Sequence, residues 1–134
     1  ADFEEKEVFD FSKDYVETFF SYLQTGNYDS AFEMLHDNCK KDLFNSDIER
    51  FRDLIKSKYF NEELRNKDFE IKESSKGNVN NEKIFHAYYE VSIICNNQNL
   101  KNSSEFYKDK TILADVVKVN GNLKLVINLD QFKI

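Results

Sequence analysis

Three groups of side chains in this sequence have types and spacings that can do chemistry. The first is His36-x-x-Cys39, with Asp37 beside the histidine. At a helix end these residues can present two metal ligands. A structural zinc site needs four, and Cys95, the other cysteine, lies far along the chain without a C-x-x-C or ligand-rich partner motif. The expectation is no metal site, with His36 acting as a cationic partner of a helix C-terminus. The second group is His86 and Asp115, a possible acid–base pair, with Tyr15 or Tyr89 as a phenolic donor. The alternation of apolar residues counts against them. His86 is out of phase with the apolar set Phe85, Ala87, Tyr89, Val91, Ile93 and Cys95, and Asp115 falls opposite the apolar face of its own segment. No acid lies on an inward strand position, so no catalytic residue is assigned. The third group is aromatic: Phe19, Phe20, Phe32, Phe51, Phe85 and Tyr89 can line a pocket for an apolar ligand. The same residues at helical or alternating spacing also suit an ordinary core. Phosphate-cradling glycine loops and nucleophile elbows are missing, and no cofactor is expected.

These groups must be positioned by elements legible in the pattern. Between Glu4 and Gln24, Val8, Phe11, Tyr15, Phe19 and Tyr22-Leu23 recur every three or four residues, with Val16 and Phe20 widening the stripe. That spacing predicts a long helix, and Gly26 suits the left-handed residue beyond its end. A second, shorter helix, capped by Asn27 or Asp29, is predicted to about His36 with Ala31, Phe32 and Leu35 buried. Lys40 to Phe44 reads as a helical turn. Ser46-Asp47-Ile48-Glu49 reads as a capping box opening a third helix that carries Ile48, Phe51, Leu54-Ile55 and Tyr59.

The period then changes from helical to alternating. Phe69 and Ile71 begin one strand, residues 74–82 read as a hairpin loop, and 85–95 form a long second strand. After a polar loop over 96–104, strands over 105–119 and 122–129 are joined by Asn120-Gly121. That dipeptide suits a type I′ turn. Pairing Val119 with Asn122 sets Lys118, Val116, Ala114 and Ile112 opposite Leu123, Leu125, Ile127 and Leu129, which is the core face. The other face pairs Val117 with Lys124, Asp115 with Val126 and Leu113 with Asn128. The resulting expectation is an α+β domain spanning 1–134, helical over about 4–60 and a sheet over about 67–130. Three N-terminal helices pack on one face of a curved, four-stranded antiparallel sheet.

Composition narrows the partners. With 40% hydrophobic residues, 13 Phe and 7 Tyr, the chain can bury a core and is not a disordered segment. Nineteen Lys+Arg against 25 Asp+Glu give a net charge of -6, and Lys40-Lys41 is the one adjacent basic pair. Nucleic acid and anionic membrane surfaces are therefore not expected partners, and no run is long and apolar enough for a membrane span. Three Arg against sixteen Lys, with only four Ala, fits A/T-rich coding. The absence of an initiator Met suggests a processed or truncated start. Cys39 and Cys95 are expected to stay unbridged, Cys95 on an apolar strand face and Cys39 at a polar helix junction.

The stretch V-E-T-F-F-S-Y-L-Q-T-G-N-Y-D-S-A-F-E-M-L, ending at Met34-Leu35, is similar to the opening of the NTF2-like (cystatin-like α+β cone) superfamily: a long helix, Gly-Asn/Asp-Tyr, a short helix. The hairpin T-I-L-A-D-V-V-K-V-N-G-N-L-K-L-V-I looks like that family's closing strands. Within the superfamily the chain most resembles small extracytoplasmic domains of low-GC Gram-positive bacteria, found in lipoproteins, penicillin-binding proteins and conjugation proteins. The resemblance implies a cone-shaped sheet and an extracytoplasmic, non-enzymatic domain that binds a protein partner or a small apolar ligand. It leaves two alternatives: a cavity enzyme of isomerase or dehydratase type, and a self-associating module. For a protein partner or homodimer, the sheet face away from the helices offers His86, Tyr88, Val117, Lys124 and Val126, an apolar centre within a polar rim.

Overall fold

The computed structural model describes residues 2–58, 67–78, 85–95, 99, 110–119 and 121–127, with side chains described for 11–57, 86–94, 99, 111–119 and 121–127. The domain is α+β. Four helices, α1 (Asp2–Thr25), α2 (Tyr28–Met34), α3 (Asp37–Phe44) and α4 (Ile48–Lys58), precede the strands β1 (Lys67–Asn78), β2 (Phe85–Cys95), β3 (Lys110–Val119) and β4 (Asn122–Ile127). The strands form one antiparallel meander in the order β1-β2-β3-β4. α1 lies against all four of them.

α1 buries Ser12, Val16, Phe19, Phe20 and Leu23, which recur at the i, i+4, i+7, i+8 and i+11 positions of one face. The expected stripe through Phe11, Tyr15 and Tyr22 is thus the flank of the buried face, and Phe11 is 55% exposed. Gly26, at φ +81°, ends the helix. Its amide donates to the Leu23 carbonyl (3.2 Å), and the Asn27 amide donates to the Tyr22 carbonyl (2.8 Å). Both bonds satisfy carbonyls that the helix end leaves open, in the Schellman arrangement.

The helical layer corrects the sequence reading in three places. The described residues hold four helices where three are predicted, because the turn expected at Lys40–Phe44 is the C-terminal part of α3. α2 stops at Met34, and Leu35 and His36 turn extended, at ψ 145° and 144°. His36 therefore heads α3 instead of ending α2: its Nδ1 accepts from the Asn38 amide at 3.0 Å. The capping box at Ser46 does not form. Asn45 and Ser46 both have left-handed backbone, φ 53° and 56°, which ends α3 and moves the cap of α4 one residue on. Asp47 Oδ1 accepts from the Glu49 amide (2.9 Å), and Glu49 pairs with Arg52 at 2.9 Å rather than reaching back.

Phe51 of α4 joins the helices. Its ring meets Phe44 at 5.1 Å, Phe32 at 5.3 Å and Phe19 at 6.3 Å, all tilted or edge-on, as the ring quadrupole favours. On the sheet, β1 runs on to Asn78, past the predicted loop start at 74, with a bulge between Glu73 and Ser75. The remainder of the loop expected over 74–82 lies outside the described residues. A polar segment can stay in a strand when it forms a sheet edge, because only one side must pair. The register sets Phe69 opposite Ile93 and Ile71 opposite Val91.

The β3–β4 register is the one the sequence predicts. Val119 faces Asn122, Lys118 Leu123, Val116 Leu125 and Ala114 Ile127; Ile112, Ala114, Val116, Leu125 and Ile127 are all buried. The pairings expected beyond Ile127, with Asn128 and Leu129, fall outside the described residues, as does Asn120. Gly121 has φ +84°, the conformation the turn demands. A Cβ there would meet nothing within 4 Å, so any side chain would be strained through its backbone alone. Gly121→Val should lower the stability by about 1–2 kcal/mol through a β-branched residue at positive φ. Urea unfolding of both proteins measures it; equal midpoints would contradict the turn.

Candidate functional site

Residues that the sequence places on the outer sheet face come together as a part-buried polar pair. In the β2–β3 register His86 faces Val117 and Tyr88 faces Asp115, so His86 and Asp115 are diagonal neighbours on one face, within reach of long side chains. His86 Nδ1 lies 2.8 Å from Asp115 Oδ2. Only 15% of the His86 side chain and 19% of the Asp115 side chain are exposed. The Tyr88 ring stacks on the imidazole, 5.6 Å between centroids and 6° from parallel.

A carboxylate can only accept, so with Asp115 ionised the Nδ1 nitrogen carries the hydrogen of this bond. Nε2 and the second carboxylate oxygen, Oδ1, are both buried and have no hydrogen-bond partner. Burial pushes the Asp115 carboxyl above its ordinary range, against the hydrogen bond and charge of His86, which pull it down.

The pair opens on a cavity of about 380 Å³. Its sheet wall is Val117 and Val119 of β3 with Val126 and Ile127 of β4. Its other wall is α3, through Cys39, Asp42 and Leu43, with the capping His36 at the end. α3 is placed there by the chain between α2 and α3. Leu35 makes an isolated parallel bridge with Leu125, and the His36 amide donates to the Leu125 carbonyl at 2.8 Å. The helix that the sequence pattern reduces to a turn is therefore what converts an open sheet face into a cavity.

Cys39 is a free, buried thiol, so no bridge joins it to Cys95, whose side chain lies outside the described residues. Burial pushes the Cys39 thiol up, Asp42 adds to this, and a hydrogen bond with the Ile127 backbone opposes it. A thiol held protonated in this way is a wall residue and not an activated nucleophile. Among the described residues no cluster of three or more His, Cys, Asp or Glu side chains can hold a metal ion.

The other expected site residues are placed as follows. Phe19, Phe20, Phe32, Phe51 and Tyr89 are buried in the core cluster and line neither described cavity; the Phe85 side chain lies outside the described residues. The two phenols stand apart from the pair. Tyr89 shares a hydrogen bond with the buried Ser12 hydroxyl. Tyr15 donates to the Met34 carbonyl at 3.0 Å, and burial pushes its hydroxyl up to about 12. Of the interface candidates, His86, Val117 and Val126 line the cavity, Tyr88 backs the imidazole, and Lys124 donates to the Glu33 carbonyl at 3.1 Å. Asn38, Asp42, Leu43 and Val119 are wall residues that the sequence reading does not name as site candidates. Among the described residues, no helix is long and apolar enough to cross a membrane. Comparison with family models, curated proteins and solved structures found no significant match to this chain.

The raised carboxyl of Asp115 has a definite consequence for stability. A folded-state value above the unfolded value means that the native state binds the extra proton, so stability falls as pH rises through the interval between them. That interval opens near the ordinary aspartate value of about 3.9. His86, Cys39 and Asp42 are the titratable neighbours in the cavity with His36. Thermal unfolding of wild type and Asp115→Asn across this range should show the wild type losing stability relative to the variant as pH increases. A wild type that gains instead would mean that the His86 contact, not burial, controls the carboxyl.

Proposed function

We propose that this chain is a non-enzymatic binding domain whose cavity between α3 and the outer face of β2–β4 takes a small molecule with an apolar body and one polar group. The observation that carries this reading is a largely apolar-walled cavity bordered by one hydrogen-bonded polar pair, His86 and Asp115. Ligand sites are concave and mostly apolar, with a few convergent polar groups that fix orientation. A volume of about 380 Å³ suits a molecule of modest size. We further assign the domain to the NTF2-like α+β cones, and to an extracytoplasmic setting in a low-GC Gram-positive bacterium; the long helix ending at Gly26, the Asn27-Tyr28 start of α2 and the closing β3–β4 hairpin support the first. Docking of a protein on the same face has weaker support, because Val117 is buried at 6% exposure and the Lys124 ammonium is already engaged.

The test is a titration of the full chain with fragment-sized aromatic alcohols, amines and carboxylates at millimolar concentration, followed by amide NMR. Shifts confined to Val117, Val126 and Ile127 are expected for at least one class, and Val126→Trp, which fills the cavity, should abolish them. No shift at these amides with any fragment would end the binding reading.

One observation favours a second reading as a cavity enzyme. Nδ1 of His86 is hydrogen-bonded to a carboxylate, the contact that orients a general-base histidine. Such a site should catalyse deuterium uptake from solvent into an enolisable ketone, and His86→Gln should remove the catalysis. Uptake equal in the two proteins would exclude it.

A further inference from the structure

We infer that His36 is a proton-sensitive cap of α3: a proton taken up by its imidazole releases the first turn of that helix, and with it one wall of the cavity. The inference concerns the helix and stands whether or not the cavity takes a ligand. His36 precedes α3 with extended backbone, φ -62° and ψ 144°, and its Nδ1 accepts from the Asn38 amide at 3.0 Å. A backbone amide only donates, so the bond exists only while this ring nitrogen holds a lone pair. The usual residues of this position, Ser, Thr, Asp and Asn, accept through an oxygen that keeps its lone pairs in neutral and mildly acid solution. Imidazole is the side chain whose charge ordinarily changes between about pH 5 and 8. A cap made of it is conditional.

Protonation acts on the helix twice. It fills the lone pair that the Asn38 amide needs, and it sets a positive charge at the positive end of the helix dipole. A histidine that ended α2 would respond with the opposite sign. The titratable groups that share the cavity with the ring are Cys39 and Asp42 of α3, His86 of β2 and Asp115 of β3, while β4 presents Val126 and Ile127. Asp37 follows in the chain with its side chain 91% exposed, where water screens it, and Lys40 lies 3.9 Å from it and 3.8 Å from Glu33 of α2. Lys124 of β4 is turned to the Glu33 carbonyl. Two backbone bonds hold His36 in place without the ring: its amide to the Leu125 carbonyl at 2.8 Å, and the Lys40 amide to its carbonyl at 3.0 Å. The residue therefore stays on the edge of β4 when the cap opens. The change falls on an eight-residue helix, too short to persist on propensity alone.

The test is an NMR titration of the full chain from about pH 8 to about pH 5, following ring and amide protons, with hydrogen exchange at both ends. The Asn38 amide proton should move upfield, as a lost hydrogen bond requires, with the midpoint of the His36 ring. Protection factors at Lys41, Leu43 and Phe44 should fall by ~5-fold at the acid end, the effect of losing a cap. Those of β3, paired on both sides, should hold. His36→Asn, which caps through an oxygen, should keep α3 protected at both ends. Because the Asn38 titration is read on the wild type, the outcome does not depend on the variant folding. An Asn38 amide that ignores the His36 midpoint would overturn the inference. So would an equal loss of α3 protection in His36→Asn, which would assign the response to His86 and Asp115, or a loss shared by α3 and β3, which would make it global.

Discussion

A strand at the edge of a sheet presents a row of backbone groups that must be covered or solvated, and β4 is such an edge. The extended pair Leu35-His36 covers part of it. The His36 amide donates to the Leu125 carbonyl, and Leu35 and Leu125 are both fully buried where they meet. Because Leu35 and His36 must be extended to do this, α2 cannot continue, and a new helix starts at Asp37. The position of α3, and with it one wall of the cavity, follows from satisfying that single edge.

The polar pair is placed by a different constraint. His86 and Asp115 stand on the face opposite the core, where the alternation of β2 and β3 would leave them in water if nothing lay above. Once that face is partly covered, each becomes a group whose loss of water must be offset. One hydrogen bond between them meets half of the need. The other two polar atoms stay open, and an unsatisfied buried polar atom costs about 1–3 kcal/mol. A core would replace such a pair with apolar residues at little loss, since buried ionic pairs seldom add stability. The pair instead borders the cavity, where both side chains keep part of their surface in solvent.

Much of the fold is legible in the sequence because its signals are local. Gly26 and the Asn120-Gly121 turn announce backbone conformations that other residues adopt with strain, and the β3–β4 register follows from a turn of fixed length. What is not legible depends on distant parts. Asn45 and Ser46 take left-handed backbone to stop α3, which neither residue type signals strongly, and the cap passes from Ser46 to Asp47 in consequence. The polar end of β1 reads as loop because alternation fails there, although an edge strand tolerates it. The diagonal contact of His86 with Asp115 needs the β2–β3 register, and the long polar segment between those strands leaves that register open to several values. Both residues are visible as candidates; their meeting is not.

The separation of core from cavity explains how the domain can hold such a site. The aromatic cluster centred on Phe51 joins α1, α2, α3 and α4, and its rings take no part in the cavity. Among the described residues only Cys39 and Ile127 belong both to the core cluster and to the cavity wall. Both are buried, so the partition between the dry interior and the chamber runs along them. A protonated thiol suits that place, being small, weakly polar and able to donate once. A charged residue there would bring the field of Asp42 and Asp115 into the core, and a larger apolar one would push α3 off the edge of β4. The aromatic packing that joins the helices thus lies on one side of this partition, and the valine-lined chamber with the His86–Asp115 pair lies on the other.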